Sequence, residues 1–150
     1  MLKNAFFLLI PVALIGFSCT KKTLNPISTS TNAMSASVNG ASWTANSFST
    51  ITSPAFAIVG IRSSDGAQVE VTVPTGTTPG TYSINSLQYF DVTYTPNQSG
   101  NATTYFGRSG TIVISSYSNN VMVGTFSASC TDATNTYTAT VTNGNFTANF

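Results

Sequence analysis

The chain is 150 residues long and carries five Lys+Arg, four Asp+Glu and no His. Roughly a quarter of the residues of an ordinary soluble domain are charged; here the share is 6%, and Ser, Thr and Asn (20, 25 and 14 residues) fill the gap. A net charge of +1 without a basic cluster argues against nucleic-acid binding, which needs Lys and Arg to neutralise phosphates, and the lack of His removes the commonest general base and metal ligand.

The chain opens with a short positive segment, Met1-Leu2-Lys3-Asn4, followed by an almost wholly apolar run from Ala5 to Phe17. Those 13 residues are too few to cross a bilayer core, which takes about 20. Pro11 in mid-run would break a buried core helix. A charged start, a short apolar run and small residues at its end predict a secretory signal peptide. The run closes on Ile15-Gly16-Phe17-Ser18-Cys19, then Thr20-Lys21-Lys22. This junction resembles the lipobox of bacterial lipoproteins, with Gly16 where Leu usually stands, and its relaxed form is similar to that of Bacteroidetes lipoproteins. The resemblance implies that the Cys19 sulfur receives a diacylglycerol, that residues 1–18 are cleaved, and that the new amino group is acylated. Several acyl chains, each burying methylenes at ~0.8 kcal/mol, anchor a protein where one chain cannot. The resemblance also implies an outer-membrane rather than inner-membrane lipoprotein, because Thr20 rather than Asp follows Cys19, and the lack of acidic residues just after Cys19 favours the periplasmic side, with surface exposure as the alternative. The membrane is therefore an expected partner, and Lys21 and Lys22 beside the anchor add about 1 kcal/mol each against anionic headgroups.

Cys19 and Cys130 are the only cysteines, so acylation of Cys19 leaves Cys130 a lone thiol. A nucleophilic Cys needs a neighbouring base to form thiolate, and no His exists to provide one. Cys130 therefore reads as a small buried apolar residue. The mature chain keeps Lys21, Lys22, Arg62 and Arg108 against Asp65, Glu70, Asp91 and Asp132, a balance of zero.

Residues 19–32 form a Ser/Thr-rich flexible tether, and residues 33–150 form one domain. Its short, alternating, β-branched segments with regular turn signals predict an all-β fold, a single antiparallel β-sandwich-like domain of about 8–10 short strands. Met34 to Val38 alternates, Asn39-Gly40 is a strong hairpin signal, and Ala41 to Ala45 returns with Trp43 inward. Ala55 to Ile61 is nearly all apolar, as a central strand covered on both faces would be. Ser63-Ser64-Asp65-Gly66 is a turn, Gln68 to Val73 alternates with its valines together, and Pro74 to Gly80 is a loop. Thr81 to Ile84 and Gln88 to Thr95 are strands, and residues 96–109 form a polar loop carrying Tyr105-Phe106. Thr111 to Ser115 sends Ile112 and Ile114 inward, and residues 117–120 turn the chain. Val121 to Cys130 places Met122, Phe126, Ala128 and Cys130 on one face. Thr136 to Thr142 points Tyr137, Ala139 and Val141 inward. Asn143-Gly144 is either a hairpin turn or a glycine bulge within one long strand, and Phe146, Ala148 and Phe150 follow in phase.

The run Val38-Asn39-Gly40-Ala41-Ser42-Trp43 resembles the NGxxW opening of small Bacteroidetes exported lipoproteins of unknown function. Gly80-Thr81-Tyr82, Gly110-Thr111-Ile112, Gly124-Thr125-Phe126 and Asn143-Gly144-Asn145-Phe146 are similar to their GTY, GTI, GTF and NGxF strands. The likeness covers residues 34–150. It implies a β-sandwich-like exported lipoprotein and supplies no activity and no catalytic residue.

The acids offer little chemistry. Glu70 and Asp91 sit at outward strand positions, and Asp65 and Asp132 are turn residues. Asp132 with Asn135 is a weak candidate for calcium, because the ligand-rich spacing of a calcium loop is missing. The sequons at Asn97, Asn101 and Asn145 mean little in a bacterial lipoprotein. No enzymatic activity and no cofactor or metal is expected. The aromatics cluster in mid-chain, and Tyr89, Tyr94, Tyr105 and Arg108 are the candidate residues for binding a glycan or peptide. Two readings follow: a non-enzymatic cell-envelope lipoprotein, structural or assembled with an envelope protein partner, and a ligand-binding β-sandwich module, carbohydrate-binding for instance. They part on whether those side chains share one exposed face.

Overall fold

The computed structural model describes residues 31–97 and 102–150. The expected signal peptide, Cys19, the expected tether up to Ser30 and the sequon at Asn101 lie outside the described residues. The domain is all-β, with ten strands in one antiparallel sheet. In chain order these are β1 (Ala33–Val38), β2 (Ala41–Thr44), β3 (Ser47–Ile51), β4 (Ala55–Ile61), β5 (Gln68–Pro74), β6 (Gly80–Ser83), β7 (Asp91–Thr95), β8 (Tyr105–Ser118), β9 (Val121–Thr131) and β10 (Thr138–Asn149). Across the sheet the order is β2-β1-β10-β9-β8-β7-β5-β4-β3, and β6 shares the β7 edge of β8.

Alternation decides the inner face. Val69, Val71 and Val73 on β5, Ile112 and Ile114 on β8, Met122, Phe126, Ala128 and Cys130 on β9, and Ala139 and Val141 on β10 are all buried. The sheet curls until its distant strands meet across this core. On β4, Gly60 lies against Met34, Trp43 and Ala45 from the β1–β2 end, and the Phe56 ring contacts Tyr117 at 5.4 Å and Phe150 at 4.8 Å. Trp43 is fully enclosed, with its indole N–H unpartnered.

Asn143-Gly144 does not turn the chain. It is a bulge inside β10, where Thr142 and Asn143 together oppose Ser127, because Val141 pairs with Ala128 and Gly144 with Phe126. The bulge explains why the inward residues change from odd numbers (139, 141) to even ones (144, 146, 148). Asn143 takes φ 50° there, a conformation asparagine tolerates better than most residues. The two G-x-F segments then interlock. Phe126 faces Gly144 on the next strand, and Phe146 faces Gly124. A Cβ on Gly144 would lie 2.5 Å from the Phe126 ring, and one on Gly124 would lie 2.7 Å from the Phe146 ring. Each glycine is thus the seat of the opposite phenylalanine.

Three expectations are corrected, and one strand unread in the sequence is added. β3 carries only Phe48 and Ile51 as apolar residues, too weak an alternation to read, yet it pairs with β4 over five residues. The polar loop after β7 ends earlier, because Tyr105 to Arg108 already belong to the 14-residue β8; bulges at Arg108 and Ser115 break its alternation. Residues 86–88 form a single 3-10 turn, so the strand expected from Gln88 starts at Asp91. Tyr137 is 64% exposed, because it precedes β10 and belongs to the loop that Asp132 organises. The apolar strand β4 lies one position in from the sheet edge, and its outward Ala55, Ala57 and Val59 are buried as well as its inward residues.

Candidate functional site

The β1–β2, β4–β5, β7–β8 and β9–β10 connections gather at one end of the curled sheet, as the strand registers require. Tyr94 on β7 and Tyr105 on β8 are cross-strand partners there. Their rings lie 6.0 Å apart, tilted by 34°, and both are half-buried against the end of the core. Burial pushes the Tyr94 hydroxyl above the usual phenol range, with the nearby Arg62 guanidinium opposing. The hydroxyls of Thr95 and Thr104 meet at 3.0 Å in the same connection.

The neighbouring β9–β10 loop is built around Asp132, whose carboxylate is buried. It accepts the Thr134 hydroxyl and the backbone N–H groups of Thr136 at 2.8 Å and Tyr137 at 3.1 Å. These donors hold its carboxyl below the ordinary aspartate value, the Thr134 hydroxyl first. With those donors around it, the carboxylate serves the loop's own backbone. Asn135 accepts the Thr131 hydroxyl at 2.9 Å. This loop presents Tyr137 to solvent at the tyrosine-bearing end, a residue that the unbroken Thr136–Thr142 alternation hides in the sequence. The Asp-Ala-Thr-Asn run was the available signal, since Asp and Asn favour turns over strands.

Arg108 and Tyr89 stand apart from the tyrosine pair. Arg108 is the extra residue of a bulge in β8, and it is exposed on the outer face. Its Nε donates to the Thr131 hydroxyl at 2.8 Å. Tyr89 follows the 3-10 turn with φ 61° and is 52% exposed beside Leu87 at 92%. The Asn85 side chain accepts the Leu87 N–H at 3.1 Å, which fixes this turn. The fold therefore brings together two of the four candidates, Tyr94 and Tyr105.

Elsewhere the outer face holds shallow depressions lined by small uncharged residues, one by Thr111, Thr125, Ser127, Asn143 and Asn145, another by Ser35, Ser37, Ser42 and Thr44. Among the described residues no three His, Cys, Asp or Glu side chains come together. Glu70 and Asp91 are diagonal neighbours across β5 and β7. Burial raises the Asp91 carboxyl above the usual range, with Glu70 adding to the shift. Burial likewise pushes the Cys130 thiol up to about 11, so at neutral pH it keeps its proton.

A curled ten-stranded antiparallel sheet, with one half-buried tyrosine pair among its loops and an outer face of hydroxyls, defines a small all-β domain. A family described as a domain of unknown function, DUF6252, matches residues 30–148, and the chain belongs to that family. No curated protein and no solved structure matches the chain.

Proposed function

We propose that this protein is a non-enzymatic cell-envelope lipoprotein, anchored through Cys19 in the outer membrane and facing the periplasm. The observation that carries the reading is the junction Gly16-Phe17-Ser18-Cys19, which closes the 13-residue apolar run Ala5 to Phe17. The domain is compatible with it, because β1 begins at Ala33, just past the expected tether of residues 19–32. Replacing Cys19 with Ala tests the anchor. The wild-type chain partitions with membranes and shows the mass of an acylated N-terminal peptide, and Cys19→Ala moves it to the soluble fraction. A soluble wild-type protein without lipid mass overturns the reading.

A second reading is favoured by the tyrosine pair at the loop end. On this reading the domain binds an uncharged glycan chain through Tyr94 and Tyr105, with Tyr137 alongside. Stacking of sugar faces on aromatic rings suits a tyrosine pair whose neighbouring charges, Arg62 and Asp65, are already paired with each other. Glycan-array binding that is lost in Tyr105→Ala and kept in Tyr89→Ala supports it, and equal loss in both variants refutes it.

A further inference from the structure

The strand order ends in two edge strands, β2 and β3, while the four-residue β6 pairs only with β8, and an exposed edge is a template for pairing with another chain unless charge, proline, a bulge or shortness blunts it. The two edges of this sheet differ. Beside β2, the Arg62 guanidinium donates to the Ser42 carbonyl at 3.3 Å. It is held there by Asp65 at 2.6 and 3.0 Å. Only this ion pair is found among the described residues, and it occupies a backbone acceptor of the β2 edge. Among the described residues β3 has no such cover. Ser47-Phe48-Ser49-Thr50-Ile51 contains no charge and no proline, and its register with β4 runs unbroken from Ser47–Ile61 to Ile51–Ala57. The bulges of the sheet lie instead in β8 and β10, in its interior.

We propose that the free edge of β3 is a strand-addition site for a second copy of this chain, joined antiparallel about a two-fold axis at Ser49. The strand is complementary to itself in that register. Ser49 opposes Ser49 of the second copy, Phe48 opposes Thr50, and Ser47 opposes Ile51, which is 46% exposed in the single chain. An aromatic residue opposite a β-branched one is a favourable cross-strand pair, and no like charges meet. An isologous contact of this kind closes at two copies. It buries little area, so the dimer is weak and concentration-dependent.

Sedimentation equilibrium of the full chain in mild detergent, from about 10 μM to about 1 mM, reads the association over the range of weak complexes. Because Ser49 faces itself, Ser49→Lys and Ser49→Glu each place like charges in direct opposition, and each weakens dimerisation about fivefold or more. An equimolar mixture of the two variants restores the dimer. Thr44→Lys on β2 leaves it unchanged, and the buried Trp43 emission verifies that every variant is folded. A wild-type chain monomeric at the highest concentration overturns the proposal. So does a dimer insensitive to charge at residue 49, a mixture that fails to recover, or a dimer abolished by Thr44→Lys.

Discussion

Gly144→Ala tests the interlocked glycine–phenylalanine seats most directly. The added Cβ would sit 2.5, 2.5 and 2.6 Å from three atoms of the Phe126 ring, about 1 Å or more inside van der Waals contact. The ring cannot swing aside freely, because Phe126 is buried and packs 6.2 Å from Phe146. Overpacking a core costs typically 1–3 kcal/mol, and three simultaneous close contacts put this case at about 2–3 kcal/mol. For a domain of this size that is roughly 6–12 °C in Tm. Urea unfolding followed by the fluorescence of Trp43, the single and fully buried tryptophan, measures it. Phe126→Leu in the same chain shrinks the obstructing group, so the double variant is more stable than the sum of the single losses, with a coupling of about 1 kcal/mol. A loss below about 0.5 kcal/mol for Gly144→Ala, or strictly additive losses, refutes the reasoning.

Two aspartates give opposite pH dependences. The folded-state pKa of Asp132 is lowered, so its contribution is present above the unfolded value near 3.9 and disappears as pH falls through the lower folded value. Asp132→Ala therefore flattens the stability curve on the acid side, read as urea midpoints between about pH 6 and 2. The folded pKa of Asp91 is raised, so its contribution is full below the unfolded value and is lost as pH rises through the folded one; Asp91→Asn removes that fall. Cys130, buried and protonated, reacts with a thiol reagent at pH 8 only at the rate of unfolding, and fast native labelling contradicts the placement. Arg62→Ala changes stability by less than about 1 kcal/mol, as befits a partly exposed pair, but uncovers the Ser42 carbonyl and with it the β2 edge. Light scattering then shows species larger than the wild type forms.

Much of the sheet is legible in the sequence because alternation is strict wherever a strand is regular. β5 and β9 can be read almost residue by residue: each sends every second side chain inward and carries no bulge of its own. β8 cannot be read this way. The extra residues Arg108 and Ser115 reverse its phase twice, so Tyr105 and Ile112 share the inner face despite opposite parity. β3 is hidden for a different reason, since an edge strand with exposed Ser47 and Ser49 needs few apolar residues. The single-sheet closure depends on contacts such as Gly60 with Trp43, which no local pattern encodes. Of the four residues chosen for binding, Tyr94 and Tyr105 meet because β7 and β8 pair. Tyr89 and Arg108 diverge because a 3-10 turn and a bulge reorient them. Composition and clustering could raise all four as candidates but could not choose among them.

The pairing of β1 with β10 joins the two ends of the domain. Thr140 N–H donates to the Asn39 side chain across 101 residues, and Asn149 N–H to the Asn32 side chain across 117. The N-terminal hairpin therefore has no sheet to join until the last strand has been made. The C-terminal meander of β8, β9 and β10 assembles from neighbours in sequence, whereas loop-closure entropy must be met before β1 docks. The N-terminal hairpin thus stays undocked until β10, Thr138–Asn149, has been made, and that strand acts as the latch. A chain that must be threaded through a translocon before it folds would gain from such late closure.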